Sequence, residues 1–233
     1  MNKEKILKKK ILGANKKIIH DGFKAKSIGN FGNVSCKYKN FCLIKPSGVN
    51  LAKTDHNDIS VVRLDDLKLF TGKKPSVDTP IHAILYKSYP EIKAIVHTHS
   101  LYASSWAQSL KSIPCYGTTH ADYFADEVPV TNILNSNQIK KNYENEIGIS
   151  IINKLKTKSL NPLQIPGILV AQHGVFSWGK TIDEALYNAE VIEFIAQLAF
   201  NSSFLNKKIK KISKSLHFKH FMRKNGPLAY YGQ

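Results

Sequence analysis

Apolar residues recur along the start of the chain at Ile6, Leu7, Ile11, Ala14 and Ile18, three and four apart, with lysines between them. That spacing predicts an amphipathic surface helix from residue 3 to about 20, stopped by the polar HDGF. The pattern then changes to short strand-like runs between Gly/Asn turns, GNFGNVSCKYKNFCLIKPSGVN, ending in a Pro-Ser-Gly loop. ISVVRLDDLKLFTGKKPS reads as a hairpin followed by another polar loop. Thr79 before Pro80 has the form of an N-cap and first helical position, opening a helix PIHAILYKSY that Pro90 stops. The apolar run AIVHTHS reads as a strand, followed by a helix near residues 101 to 110, the short segment IPCYGTTHADYFADEVPV and a second amphipathic helix over about 138 to 157. GILVAQHGVFSWGK is a pair of buried strands broken at His-Gly. Thr181 and Glu184 form a capping box for a long helix whose Ile182, Ala185, Leu186, Ala189, Ile192 and Ala196 trace one apolar face. The C-terminal HFKHFMRKNGPLAYYGQ is expected to end in a tail that does not pack alone. Strands and helices mix without regular β-α-β alternation, which favours an α/β sandwich with a largely antiparallel sheet over a doubly wound one.

Composition narrows the class. With 233 residues and 42% hydrophobic content the chain can bury a substantial core, and residues 1–233 read as one domain. No apolar run approaches the ~18 residues of a membrane span, and the start lacks the core of a secretory signal, so a cytoplasmic protein without a membrane partner is expected. Cys36, Cys42 and Cys115 form no Cys-x-x-Cys pair and leave one over, which argues against a disulfide framework and a thiolate metal site. The net charge of +17 suggests nucleic acid. However, the lysines are dense only at KEKILKKK and KKIKKISK, and no DNA- or RNA-binding signature accompanies them. The charge is therefore assigned to solvated faces, not to a nucleic-acid partner, with a secondary reading in which it attracts anionic substrates.

Candidate chemistry begins in AIVHTHS. Successive side chains of a strand point to opposite faces, so His97 and His99 look the same way. Two imidazoles so placed suit a metal ion, and equally a hydrogen-bonded pair. His173, where an apolar strand breaks at Gly174, is placed to project from a strand end into a cleft. Three neutral histidines with an open fourth position describe a catalytic zinc site. The loops GNVS, KPSG and KPSV offer Gly32, Asn33, Ser47, Gly48, Ser76 and Val77 as a set of donors suited to a phosphate group, though each loop alone is an ordinary turn. Lys45 adds charge there or faces solvent.

Together GNVS, KPSGV, KPSVDTPIH, IVHTHS, GTTHADYF, HGVFSWGK and the tail AYYGQ, in this order over nearly the whole chain, resemble the class II aldolase and sugar-phosphate epimerase family. Within it they are most similar to the L-ribulose-5-phosphate 4-epimerase branch, which shares the tail. The resemblance implies a three-layer α/β sandwich, a central, largely antiparallel sheet flanked by helices. It implies one Zn2+ per subunit, held by His97, His99 and His173 with Asp78 close by, although Asp78 alone would pass for a helix-start residue. It implies a small phosphorylated sugar as substrate, its phosphate at the loops above, and Asp122 and Tyr231 as the acid/base pair, with Tyr231 reaching in from a neighbouring subunit. Glu144, His220 and Arg223 fall at supporting positions. The family's cyclic homotetramer implies sites at subunit interfaces. One departure stands out: Val77 occupies a place where the branch usually carries a second serine.

The activity so implied is interconversion of L-ribulose 5-phosphate and D-xylulose 5-phosphate. The C4 hydrogen is one carbon too far from the C2 carbonyl to be acidic, and the sequence has no Gly-x-Gly-x-x-Gly for a nicotinamide. A retro-aldol cleavage of C3–C4, rotation of the aldehyde and re-addition meets the need. Two rivals share the fold: a fuculose-phosphate type aldolase, which the tail and Asp122 disfavour, and a non-enzymatic binding module, which the three retained histidines disfavour.

Overall fold

The computed structural model describes residues 3–227 and 229–231; Met1, Asn2, Leu228 and the Gly232 and Gln233 of the AYYGQ motif lie outside the described residues. Seven strands, β1 (Asn33–Tyr38), β2 (Phe41–Ile44), β3 (Ser60–Arg63), β4 (Leu69–Thr71), β5 (Ala94–Thr98), β6 (Gly167–Val170) and β7 (Gly174–Gly179), form one sheet in the order β4-β3-β2-β1-β5-β7-β6. Every neighbouring pair is antiparallel. Alternation along the strands makes two apolar faces. Val34 and Cys36 of β1 with Ala94 and Val96 of β5 pack under α1 (Lys3–Lys17) and the first half of α6 (Ile182–Leu205). Ile95 of β5 and Phe176 of β7 face the other way, into a larger cluster with α2 (Thr79–Ser88), α3 (Leu101–Gln108) and α5 (Ser136–Thr157). The sheet is thus the middle layer of an α/β sandwich. α1 is fastened to it by Asn15, whose Nδ2 donates to the Val34 carbonyl at 3.1 Å and whose Oδ1 accepts the Val34 N–H at 2.8 Å.

A polar seam runs between β1 and α2. Residues four apart on a helix share a face, which puts Asp78, His82 and Tyr86 in one row over Asn33, Ser35 and Lys37. Ser35 Oγ lies 2.7 Å from His82 Nδ1 and 2.7 Å from the Tyr86 hydroxyl, and Lys37 Nζ donates to the Tyr86 carbonyl at 3.0 Å. Ser35, His82 and Tyr86 are fully buried, so these bonds offset a desolvation cost that no water could meet. Burial drives the His82 imidazole down to about 3, which keeps it neutral.

The sequence pattern and the structure differ in detail. Asp78, not Thr79, is the N-cap of α2, and it makes no side-chain cap bond. Thr79 instead donates its hydroxyl to the Ser76 carbonyl at 2.6 Å, while the Asp78 carboxylate accepts from Asn33. Half of the capping box on α6 forms: Thr181 Oγ1 accepts the Glu184 N–H, but the Glu184 carboxylate takes the Lys180 N–H. β5 ends at Thr98, so His99 lies just past the strand. The C-terminal stretch is not a bare tail, for Lys214–Asn225 forms α7, capped by Ser213. The three cysteines are buried and unpaired. Among the described residues no helix is long and apolar enough to cross a membrane.

Candidate metal centre and acid/base cluster

Strand ends build the first half of the site. Asn33 and His97 are register partners on β1 and β5, and Thr98 pairs with Val175 on β7, so the turn after β6 brings His173 beside them. The backbone between is tight. Gly32 sits at φ +80°, and a Cβ there would lie 2.4 Å from the His97 carbonyl, so only glycine lets the two strands close at this point. The rings of His97, His99 and His173 form a nearly equilateral triangle, with centroids 4.8, 4.8 and 4.9 Å apart.

The donor set suits a divalent cation. One nitrogen from each of the three histidines lies within 4.8 Å of the others. His97 Nδ1 donates to the Val175 carbonyl at 3.0 Å, which fixes its tautomer and leaves Nε2, 3.0 Å from His99 Nε2, as a lone pair aimed into the triangle. His173 Nδ1 is buried without a hydrogen-bond partner. Phe176 stacks on His97, with centroids 4.2 Å apart and 13° between planes, and so backs the imidazole from one side. Burial, then the neighbouring imidazoles, push His97 well below the ordinary histidine range; burial also lowers His99 and His173. All three are therefore held in the neutral form that binds metal.

One cavity of about 340 Å³ contains the triangle and every loop residue singled out for phosphate: Gly32, Asn33, Lys45, Ser47, Gly48, Ser76 and Val77. Lys45 turns inward, its Nζ donating to the Asn30 carbonyl at 2.6 Å, and burial lowers its pKa against the pull of Asp78. Gly48 is held at φ +64°. Asp78 lines the same cavity but is not one of the clustered ligands: its Oδ2 accepts Asn33 Nδ2 at 2.6 Å. From that position its charge opposes the lowering at His99 and His173. Glu144 is also in the cavity wall.

Asp122, His220, Arg223 and Tyr231 lie elsewhere on the chain. None of them lines that cavity, yet all four are joined to one another. Asp122 follows the short helix α4 (Thr118–Ala121) and is buried. Its carboxylate accepts Arg223 Nε and Nη2 at 3.1 and 3.0 Å, a two-point pairing, and His220 Nδ1 at 3.1 Å. Asn225, which the sequence reading passed over, donates to the Asp122 carbonyl at 2.9 Å. The chain then doubles back so that the Tyr230 and Tyr231 N–H groups donate to the Arg223 carbonyl, and the Arg223 guanidinium lies 4.1 Å above the Tyr231 ring. Other residues were missed: Asn30, Phe31, Val49 and Tyr143 line the histidine cavity, and His82 is hydrogen-bonded to Ser35, two residues along β1 from Asn33. Only His82, four residues from Asp78, had a spacing that could have flagged it.

Comparison with known proteins fits this arrangement. Residues 9–200 match the family described as Class II Aldolase and Adducin N-terminal domain. A Salmonella paratyphi C protein, "L-ribulose-5-phosphate 4-epimerase UlaF", is 40% identical over 227 residues, covering 97% of this chain and 98% of its own. The chain belongs to the class II aldolase and adducin family. Another member, "Probable L-ribulose-5-phosphate 4-epimerase UlaF" of Mycoplasma pneumoniae, is 45% identical over 210 residues, 88% of this chain and 87% of that one. Among solved structures of the fold, an L-fuculose 1-phosphate aldolase superposes with a TM-score of 0.74 at 19% identity over 92% of this chain and 94% of its own. A sugar-phosphate aldolase from Thermotoga maritima does so with a TM-score of 0.66 at 19% identity over 88% and 98%. The α/β sandwich with its antiparallel sheet is therefore the family's own fold.

Proposed function

We propose that the chain is a metal-dependent epimerase that interconverts L-ribulose 5-phosphate and D-xylulose 5-phosphate. The observation that carries this reading is the sharing of one cavity by three neutral imidazoles and a set of phosphate-grade donors. Full-length identity to epimerases of that substrate supports it.

In this reading His97, His99 and His173 hold the cation, which we take to be zinc, and Asp78 adds negative charge beside it. When bound, such an ion supplies Lewis-acid stabilisation of the charge that develops on the sugar as C3–C4 breaks, worth several kcal/mol. Asn33, Ser47, Gly48 and Ser76 grip the phosphate, and Lys45 contributes charge from a buried position where it counts for more than in water. The C4 oxygen must give up a proton on cleavage and regain it on either face of the rotated aldehyde, which calls for two groups. Asp122 and Tyr231 take these parts. Arg223 and His220 orient the Asp122 carboxylate, and Glu144 orients the sugar. Because Asp122 and Tyr231 travel together in a cluster outside their own chain's cavity, both are supplied to the site of a neighbouring subunit. A heterologous, ring-closing contact, as in a cyclic homotetramer, accomplishes this.

The test is turnover of L-ribulose 5-phosphate with and without a chelator, with Tyr231→Phe assayed alongside. The wild-type protein should form D-xylulose 5-phosphate, lose activity to the chelator and regain it with zinc, while Tyr231→Phe keeps its metal and loses turnover. Release of dihydroxyacetone as the main product would replace the epimerase with an aldolase.

A further inference from the structure

Tyr143 stands where helix α5 restarts. Asn142, at φ −165° and ψ 81°, breaks the helix, and its Oδ1 accepts the Asn145 N–H at 3.4 Å as a fresh cap. The preceding arm has its own capping box, Asn135 with Gln138, and Gln138 Nε2 donates across the break to Glu146 Oε2 at 2.9 Å. Tyr143 is thus the first residue of the second helical segment, and the break turns it towards the histidines. Its ring lies nearly parallel to that of His173, 10° between planes and 6.4 Å between centroids.

Beyond Tyr143 is a second cavity of about 180 Å³ with a mixed lining, apolar at Leu134, Ile139 and Ile147 and polar at Thr131, Asn132 and Gln172. Tyr143 is the one described residue that lines both this space and the histidine cavity. It belongs to the His173 side, on an element that supplies none of the phosphate loops. With the phosphate held at those loops, as in the function proposed above, the carbonyl end of a ketose phosphate would point C1 outward, towards this ring.

We propose that Tyr143 is a specificity-determining partition: it closes the histidine cavity against the second one and so limits how many carbons a substrate carries beyond the carbonyl. The inference rests on the function proposed above. The steric block comes from the ring; the hydroxyl is dispensable for it. Removing the ring joins the two cavities and makes room for a ketose phosphate longer by one hydroxymethylene carbon at that end, a hex-3-ulose 6-phosphate, among side chains that include the polar Thr131, Asn132 and Gln172 as well as apolar ones. Steric exclusion of one extra carbon by the ring is worth about tenfold in discrimination, as one methylene is in an apolar pocket.

The test compares wild type, Tyr143→Ala and Tyr143→Phe, each checked for native circular dichroism and full metal content, on L-ribulose 5-phosphate and on the hex-3-ulose 6-phosphate. The ratio of kcat/KM for the longer over the shorter substrate should rise about tenfold or more in Tyr143→Ala and stay within about twofold of wild type in Tyr143→Phe. Protection from thermal unfolding by the two sugar phosphates should change in the same order. An unchanged ratio in folded Tyr143→Ala, or an equal rise in Tyr143→Phe, overturns the partition. If wild type fails to turn over L-ribulose 5-phosphate, the functional reading falls, while the thermal shifts still report whether the longer ligand gained access.

Discussion

The histidine triangle and the Asp122 cluster are built in opposite ways. The triangle hangs on the ends of central strands: β5 is flanked by β1 and β7, Phe176 backs His97, and a glycine at positive φ lets the strands close. The Asp122 cluster is assembled from a four-residue helix, the face of α7 and a doubled-back terminus, with Asp122 buried but Tyr231 half exposed. Rigid placement suits groups that must meet a cation to within a few tenths of an ångström. A peripheral cluster suits groups that complete another subunit's site. In the proposed function one region holds charge and the other moves protons.

Removing a ligand should therefore have the largest effect. His173→Ala is expected to lose bound metal and, with several kcal/mol of charge stabilisation gone, on the order of 10³-fold or more in kcat/KM. Metal analysis beside the turnover assay checks it; full metal content would break the assignment of the triangle. Asp122→Asn should behave differently, keeping its metal and losing about 10²- to 10⁴-fold in kcat. Mixing the two inactive variants sharpens the contrast. If the two regions serve each other across an interface, co-assembled His173→Ala and Asp122→Asn subunits regain activity; failure to do so in verified mixed oligomers returns both regions to one chain.

How much of this could be read from the sequence follows from the range of the forces involved. The strands, the His-Gly break and the long helix rest on local periodicity and were legible, as was α2, since Pro80 and Pro90 bracket it. The triangle was half legible: strand alternation paired His97 with His99, but His173 is brought in by the register of β5 against β7, which no local pattern encodes. Of the seam of Ser35, His82 and Tyr86 only the four-residue spacing of His82 from Asp78 left a trace, because buried polar residues look like surface ones until their partners are known. The shift of the α2 cap to Asp78 came from a competing bond, Thr79 to the Ser76 carbonyl. Helix α7 was not read ahead of the expected terminal tail, because nearly all its side chains stay at least partly exposed, Phe221 alone being buried, and no apolar face marks it.

Stability should divide the molecule in the same way, with smaller effects. Ser35→Ala leaves His82 Nδ1 and the Tyr86 hydroxyl without their partner in the core, at a cost of about 1–3 kcal/mol in denaturant unfolding. Acid acts on the same seam and beyond it. His82 is held down to about 3 and His120 to about 4, mainly by burial. In the unfolded chain both titrate near 6.5, so below that pH the unfolded state binds more protons than the folded one. Their contribution is complete above about pH 7 and is lost as pH falls from about 6.5 towards 4 and then 3. Midpoint denaturant concentration should drop across that window, and His120→Phe, if it folds, should flatten the upper part of the slope.

The smallest expected effect lies at the phosphate end of the cavity. Val77 is 61% exposed, and its side chain offers no hydrogen bond to a loop in which Ser76 is buried and already accepts from Asn33 Nδ2 at 3.3 Å. Val77→Ser restores a hydroxyl at the mouth without touching the triangle or the Asp122 cluster. One added hydrogen bond to a charged group is worth about 1.5 kcal/mol where water competes little, and less at an exposed rim. The KM for L-ribulose 5-phosphate should therefore fall by about two- to fivefold, with kcat unchanged, because the phosphate is held equally in ground and transition states. A change in kcat instead would mean that this loop senses the reacting carbons, and the division between a gripping end and a reacting end of the cavity would have to be redrawn.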